Sequence, residues 1–244
     1  KQNYQITFAT ACAKSDNAFD LKSIGIEPIA IELNNSSFDE FILKLNPSVV
    51  LFDRFMVEEQ FGWRVSEQCP DALKILDTED LHFLRKGREQ AMKDGSPFDV
   101  DYLFNDTAKR EIASIYRCDL SLIISEVEMN ILKYQFKVNE QILWYLPFLI
   151  EIISTDKKKS VPKFKDREHF VCIGNFLHGP NYDAALFLKE KIWPLIREKL
   201  PKAELHIYGA YASEKVNQLH KEEEGFLIEG LVEDDNEVIL QTNV

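Results

Sequence analysis

The sequence contains few cysteines, and they are widely spaced. Among the 244 residues there are four cysteines: Cys12, Cys69, Cys118 and Cys172. None forms a C-x-x-C pair or stands beside a histidine at the spacing of a zinc site, so no metal site is predicted. Isolated cysteines in apolar stretches are typical of core residues in a reducing compartment. The pattern therefore favours a cytoplasmic protein, and single disulfide bonds stay open at this stage.

Basic patches and long apolar runs are also missing. The net charge is −12 and the basic run is Lys157–Lys159, whereas nucleic acids are bound through extended basic surfaces. The longest apolar run, 142–153, is interrupted by Pro147 and Glu151 and is too short to span a bilayer. We therefore expect neither nucleic acid as a partner nor a transmembrane segment, and peripheral membrane contact stays open.

Several catalytic signatures are absent as well. The sequence holds no H-E-x-x-H, Walker A, G-x-S-x-G or EF-hand pattern, which disfavours the enzyme and calcium-binding classes that carry them. It also holds no G-x-G-x-x-G followed by an acidic residue, which disfavours a dehydrogenase. These signature motifs therefore do not identify a function for this chain, and candidate residues must be sought elsewhere in the sequence.

Short β-branched runs alternate with helical patterns along the chain, which predicts an α/β fold with doubly wound, mostly parallel sheets. The predicted strands in the first part are Gln5–Ala9, Pro28–Leu33, Ser48–Phe52, Ala72–Leu76 and Leu120–Ile124. The predicted helices are Ser37–Leu45, Val57–Gln68, Glu79–Lys93, Thr107–Tyr116 and Glu126–Phe136. A polar, proline-containing segment follows at 154–167. We predict an N-terminal domain at 1–153, a linker at 154–167 and a second domain at 168–244.

The second domain opens with one complete crossover unit. A strand at His169–Ile173 is followed by a turn that starts with Gly174 and Asn175, then by a helix over Tyr182–Leu200. A second strand, Glu204–Tyr208, ends at Gly209. In such sheets a glycine after the strand lets the backbone approach a phosphate, and the next helix points its N-terminus at it. Asn175 and His178 add side-chain donors there, and an ordinary tight turn with an Asn cap is the competing interpretation.

Two groups of ionisable residues follow strands of the first domain. Asp77, Asp80 and His82 come after one predicted strand, and Thr78 offers a helix cap. Asp53 and Arg54 end the preceding strand, so two neighbouring strands deliver an aspartate to the same sheet edge. Such residues suit acid–base work, hydrogen bonding to a sugar hydroxyl or, for the arginine, phosphate binding. A capped helix start with a solvated charge pair is the alternative.

An ordered series of segments carries a resemblance to a known family. The segments are Phe170–Asn181, Ile192–Ile196, Leu200–Gly209 and Ile228–Val232, with weaker likeness at Ser125–Glu126 and Leu146–Phe148. Together they resemble the GT-B glycosyltransferases, in particular the retaining, metal-independent group classed as family 4. The resemblance implies two Rossmann-like domains, the second incomplete. The family's acidic pair for the donor sugar comes after the point where Val244 stops, so we expect a piece of a longer protein that is inactive alone.

The resemblance also implies a function and roles for the residues. The intact protein would move a sugar from a nucleotide diphosphate-sugar to a glycan, lipid-linked or small-molecule acceptor, with no cofactor beyond that donor substrate. His82 and Asp77 would be catalytic, Asp53, Arg54 and Asp80 would lie on the acceptor side, and Gly174, Asn175, His178 and Gly209 would bind the donor. The alternatives are an enzyme like a nucleotide-sugar epimerase and a non-catalytic binding or interaction module.

Overall fold

The structure is a computed structural model that describes residues 4–13, 18–149, 152–167, 169–232 and 238–239. The chain divides into two compact units, 1–150 and 151–244. Glu168, where the second domain was predicted to start, and Val244 lie outside the described residues. Each unit consists of parallel strands and helices, which confirms the α/β class with parallel sheets.

The described residues of the first unit form two parallel sheets. Strands β1 (Thr7–Thr10) and β2 (Glu27–Ala30) form a pair, and the second sheet has the order β3-β4-β5-β6. Its strands are β3 (Val49–Asp53), β4 (Leu73–Asp77), β5 (Leu120–Ile123) and β6 (Leu143–Tyr145). The helices are α1 (Ser37–Leu45), α2 (Phe55–Gln68), α3 (His82–Lys93), α4 (Asp106–Arg117) and α5 (Glu126–Asn130), which continues as a π-helical turn, Ile131–Gln135. Because every strand runs parallel, the carboxyl ends of β3, β4 and β5 share one edge.

The core of the first unit lies between its larger sheet and its helices. Leu76 of β4 and Ile123 of β5 are fully buried, as are Phe83 of α3 and Ile115 of α4. Burying such a side chain contributes about 1.5–3 kcal/mol. These contacts fix the positions of β4 and α3, and hence of the loop between them.

In the described part of the second unit, a three-stranded parallel sheet of order β7-β8-β9 has helices around it. Its strands are β7 (Phe170–Ile173), β8 (Leu205–Tyr208) and β9 (Phe226–Gly230). Its helices are α6 (Thr155–Ser160), α7 (Gly179–Phe187), a π-helical turn (Leu188–Ile192), α8 (Trp193–Lys199) and α9 (Glu214–Asn217). Phe226 and Ile207 of the sheet pack with Trp193 and Ala185 in its buried core. The predicted linker contains α6 and a turn of 3-10 helix, Phe164–Asp166.

The predicted helix Tyr182–Leu200 is confirmed over most of its length, but it starts three residues earlier and contains a π-helical turn. The helix begins at Gly179, because Pro180 suits the first turn, where no intrahelical N–H bond is needed. Pro194 then interrupts the pattern of N–H donors, and a π-helical turn precedes it at Leu188–Ile192. A proline can therefore mark a helix start or an irregularity, depending on what precedes it.

In the first unit, the predicted start of α3 and the predicted helix cap are wrong. Helix α3 begins at His82, not at Glu79, and Thr78 does not cap it, because its hydroxyl donates to the Leu122 carbonyl oxygen at 2.9 Å. Ser125, by contrast, caps α5 as predicted. Strand β6 was not predicted, since three residues are too few for a periodic signal.

The structure also bears on the expectations about disulfide bonds and transmembrane segments. All four cysteines are free, and Cys69 and Cys118 are buried. Burial raises the pKa of the Cys118 thiol to about 12, which keeps it protonated and unreactive. Among the residues that the structure describes, no helix has both the length and the apolar character needed to cross a membrane.

Candidate functional site

The carboxyl edge of the β3–β4–β5 sheet carries the ionisable residues predicted for the first unit. Asp53 and Asp77 are the last residues of β3 and β4, and they are partners in the parallel register. The expectation that two strands deliver aspartates to one edge is therefore confirmed. Asp53 is exposed, whereas Asp77 is half-buried.

Arg54 is held at this edge by contacts on both its backbone and its side chain. Its Nε and Nη2 donate to the two carboxylate oxygens of Asp53 at 2.9 and 3.0 Å. Its backbone N–H donates to the Asp77 carbonyl oxygen at 2.8 Å. The hydrogen bond with Asp53, together with the nearby charges of Glu79 and Asp80, raises the pKa of Arg54. The guanidinium is therefore a permanent cation in an otherwise acidic loop.

Two residues of this edge have unusual backbone conformations. Arg54 after β3 has a φ of +70°, and Glu79 after β4 has a φ of +58°. Residues other than Gly and Asn seldom adopt this left-handed conformation, and each such conformation costs about 1–3 kcal/mol of strain energy. Asp77 supports the second of them, because its Oδ1 accepts the Glu79 N–H at 3.2 Å. Backbone strain of this kind is concentrated at binding and catalytic sites.

His82 lies at the first turn of α3 and is buried, with 9% of its surface exposed. Its Nδ1 lies 3.1 Å from the Asp80 carbonyl oxygen and 3.5 Å from an oxygen of Glu111. The ring also meets Phe55 edge-on, with centroids 5.3 Å apart. The hydrogen bond with Glu111, more than the opposing effect of burial, raises the pKa of His82.

Two buried carboxylates that the sequence analysis did not identify hold the start of α3. Glu111 of α4 is fully buried and accepts the backbone N–H groups of His82 and Phe83, at 3.2 and 3.0 Å. Glu128 of α5 accepts the Leu81 N–H at 3.1 Å. These groups satisfy N–H donors that a helix start leaves unpaired, and they place negative charge at its positive end. No local pattern could have shown this, because Glu111 and Glu128 are 28–47 residues away from the donors.

We expect the contribution of His82 to stability to depend on pH. Because its pKa is raised above the ordinary value of 6.5, the protonated ring stabilises the folded state. This contribution is fully present below about pH 6.5 and is lost as the pH rises through the folded-state pKa. The difference in Tm between the wild type and His82→Gln should therefore be largest near about pH 6 and shrink towards about pH 8. A difference that grows with pH would contradict this assignment.

In the second unit, a glycine lies at the carboxyl end of each of the three described strands. Gly174 follows β7, Gly209 follows β8 and Gly230 ends β9. The N–H of Gly174 donates to the Tyr208 carbonyl oxygen at 3.0 Å, and that of Gly209 donates to the Gly230 carbonyl oxygen at 2.7 Å. A Cβ atom on Gly209 would lie 2.0 Å from the Gly174 carbonyl oxygen. Only glycine allows this close approach of the backbone.

The turn after Gly174 is ordered by its asparagines. Asn175 Oδ1 accepts the Leu177 N–H at 2.9 Å, and its carbonyl oxygen accepts from Asn181 Nδ2 at 2.8 Å. His178 is the N-cap of α7 and makes no side-chain capping bond. Asn175 and His178 are exposed. The four residues predicted to bind a donor therefore share one edge, and the Asn175 amide oxygen is already used within the turn.

Comparison with known proteins gives a match in fold. No protein-family model matches the sequence, and no curated protein matches it. The structure is similar to a point mutant of TarM from S. aureus, solved in complex with fondaparinux, alpha-GlcNAc-glycerol and UDP. The TM-score is 0.58 at 14% sequence identity, over 84% of this chain and 38% of the TarM chain. TarM is a GT-B glycosyltransferase, so the chain shares that Rossmann-like α/β fold.

Proposed function

We propose that the protein transfers a sugar from a nucleotide diphosphate-sugar donor to an acceptor. The observation that carries this proposal is the carboxyl edge of the second unit, where Gly174 and Gly209 are in close backbone contact before the start of α7. The fold of the chain is similar to that of a glycosyltransferase whose structure was solved with UDP. Since this chain spans 38% of that protein's length, the activity is proposed for the whole protein.

The chemistry of the second unit suits a diphosphate. The first turn of α7 offers the N–H of Gly179, since Pro180 has no N–H and the Asn181 N–H already donates to the His178 carbonyl oxygen at 3.0 Å. The helix dipole adds partial positive charge there. The exposed His178 ring lies at the same helix end. Gly174 has no side chain to keep a phosphate away from the backbone. We therefore assign donor binding to Gly174, Asn175, His178 and Gly209.

The chemistry of the first unit suits an acceptor rich in hydroxyl groups. Its edge is acidic, and the side chain of Arg54 already pairs with Asp53, so an anionic phosphate would be repelled there. Carboxylates accept hydrogen bonds from hydroxyl groups. We therefore place the acceptor near Asp53, Arg54 and Asp80, with Asp77 and His82 as the candidate catalytic groups. The acceptor class is a glycan, a lipid-linked molecule or a small molecule, and the proposed location is the cytoplasm.

The proposed mechanism rests on positioning and electrostatic stabilisation. The partial positive charge at the start of α7 and the exposed His178 ring would stabilise the charge that develops on the departing nucleotide diphosphate. Fixed placement of the two substrates lowers the entropic part of the barrier. We propose that the reaction retains the anomeric configuration and uses neither a cofactor nor a metal ion at the donor. Product NMR gives the configuration, and a rate that is unchanged by added Mg²⁺ or Mn²⁺ supports the second point.

Substitution of His178 gives a first test of donor binding. We expect His178→Ala to weaken nucleotide diphosphate binding about tenfold, because a hydrogen bond to a charged group contributes about 1.5 kcal/mol. Calorimetric titration of the full-length protein with UDP, GDP and ADP measures this change. His220→Asn is the matched control, since asparagine keeps an acceptor for the Ile228 N–H that now bonds to His220 Nδ1 at 3.1 Å. Equal affinity in the two variants would remove His178 from the site.

Product analysis separates the proposed transfer from the alternatives. The full-length protein is incubated with a labelled nucleotide sugar, with and without a panel of acceptors. Label that moves only when an acceptor is present supports transfer. A changed nucleotide sugar in the absence of any acceptor would show an epimerase instead, and a folded protein that binds no nucleotide would show an interaction module.

A further inference from the structure

A group of histidine and carboxylate side chains lies at the amino ends of β7 and β8. His169 precedes β7, Glu204 precedes β8 and His206 is the second residue of β8. Each residue offers a ligand atom, and these atoms all lie within 4.8 Å of one another. Gly174 and Gly209 follow the same two strands at their other ends. Four residues of strand, about 13 Å, separate His169 from Gly174 and Glu204 from Gly209, and His206 lies near the amino end of β8. This group is therefore not part of the proposed donor site.

The spacing of the three ligand atoms fits a tetrahedral ion. A zinc ion bonds to nitrogen and oxygen at about 2.0–2.2 Å, which puts neighbouring ligand atoms about 3.3–3.5 Å apart. His206 Nε2 lies 3.4 Å from Glu204 Oε2, and His169 Nδ1 lies 3.1 Å from the same oxygen. The first separation falls in this range, the second is slightly shorter, and all three ligand atoms lie within 4.8 Å of one another.

A fourth residue, Glu229, determines which ring nitrogen of His206 carries the hydrogen atom. Its Oε1 lies 2.6 Å from His206 Nδ1, and a carboxylate can only accept a hydrogen bond. The proton of the neutral ring therefore resides on Nδ1, which leaves a lone pair on Nε2. A carboxylate behind a histidine in this way is the usual second layer of a zinc site. A register irregularity between β8 and β9 leaves Glu229 without a partner in the strand pairing.

The Nε2 atom of His206 has an environment that a cation would complete. It is shielded from solvent and has no hydrogen-bond partner among the described residues, although a Glu204 oxygen is close to it. In the neutral ring, a lone pair that faces a carboxylate in a shielded position is unfavourable. A cation between the two atoms would bond to both of them.

From this geometry we propose that His169, Glu204 and His206 bind a divalent transition-metal ion, with zinc as the preferred ion. Two imidazoles and one carboxylate are a common ligand set for zinc, and the fourth position is left for water. The backbone of His169 supports the proposal, because it has a φ of +66°, an unfavourable conformation for histidine. The ion would join the starts of β7 and β8, so its role is to stabilise the second unit. The proposal does not depend on sugar transfer.

The test uses the full-length protein, freed of any affinity tag and treated with EDTA. Calorimetry with ZnCl₂ should show saturable binding of one ion per chain, and CoCl₂ should give the intense visible absorption of tetrahedral Co²⁺. The Tm of the protein should rise with Zn²⁺ concentration, because the ion binds the folded state alone. Wild-type protein that binds no Zn²⁺ at a single saturable site would overturn the proposal.

Matched variants locate the ion. His206→Gln should abolish the site, and Glu229→Gln should weaken it about 10–100-fold, as expected for a carboxylate behind a ligand. His220→Asn, in the same unit, should bind Zn²⁺ as the wild type does. His169→Gln serves as a second ligand variant should His206→Gln fail to fold. Unchanged affinity in a folded ligand variant, or a loss of affinity in His220→Asn, would contradict the assignment.

Discussion

Glu111→Ala is expected to lower the free energy of unfolding by about 3–5 kcal/mol. The fully buried carboxylate accepts two backbone N–H groups at the start of α3 and faces the His82 ring. Alanine would leave these donors buried without partners, and each such donor costs about 1–3 kcal/mol. For a protein of this size, the loss corresponds to a fall in Tm of roughly 6–20 °C. Thermal and urea unfolding measure the change.

Two further variants make this result specific. Glu111→Gln keeps one carbonyl oxygen as an acceptor, so it should lose less stability than Glu111→Ala does. Glu67→Ala removes an exposed glutamate of α2 and should change the free energy of unfolding by no more than about 0.5 kcal/mol. A Tm for Glu111→Ala equal to that of Glu67→Ala would show that the start of α3 does not depend on the buried carboxylate.

Gly209→Ala should be the most damaging change at the proposed donor edge. The new Cβ would lie 2.0 Å from the Gly174 carbonyl oxygen and 2.6 Å from the Phe176 ring. Forcing extra atoms into packed structure costs about 1–3 kcal/mol, and we expect a value at the upper end because one obstacle is backbone. The Gly174 turn must also move, so we expect at least a tenfold loss of nucleotide affinity.

Gly179→Ala is the matched control for this prediction. Gly179 starts α7 on the same edge of the sheet, and a Cβ there would meet no atom within 4 Å. Alanine is also the better helix former, so stability should be unchanged or slightly higher. If Gly209→Ala unfolds at the same temperature as Gly179→Ala, the close approach between Gly209 and Gly174 does not limit the fold.

The elements that the sequence predicted well have a strong local pattern. Helix α1 has its predicted bounds, Ser37–Leu45, since its apolar residues recur at the helical period. Strands β1–β5, β7 and β8 were found because apolar β-branched runs are bounded by polar residues. Asp53 and Asp77 were placed correctly at the ends of their strands for the same reason. Local periodicity is therefore sufficient for the class of fold and for the sheet edges.

The features that were missed depend on residues far apart in the chain. The start of α3 is set by Glu111 and Glu128 from later helices, which no window around Thr78 contains. The group of His169, Glu204 and His206 forms only when β7 pairs with β8. The alternation of Glu204 and His206, two residues apart at the start of a strand, was the available signal, since such residues share a face. Pairing in space, rather than spacing in sequence, creates these sites.

The most direct test of the account is an NMR titration of the ¹⁵N-labelled full-length protein with UDP, GDP and ADP and their sugar conjugates. We predict that at least one nucleotide shifts the backbone amide signals of Gly174, Asn175 and Gly209 in a saturable manner, while signals from the amino ends of β7 and β8 change little. Such a result would place the donor at the carboxyl edge of the second unit. Amide signals at that edge that stay unchanged with every nucleotide, in a folded sample, would contradict the proposed glycosyltransferase function.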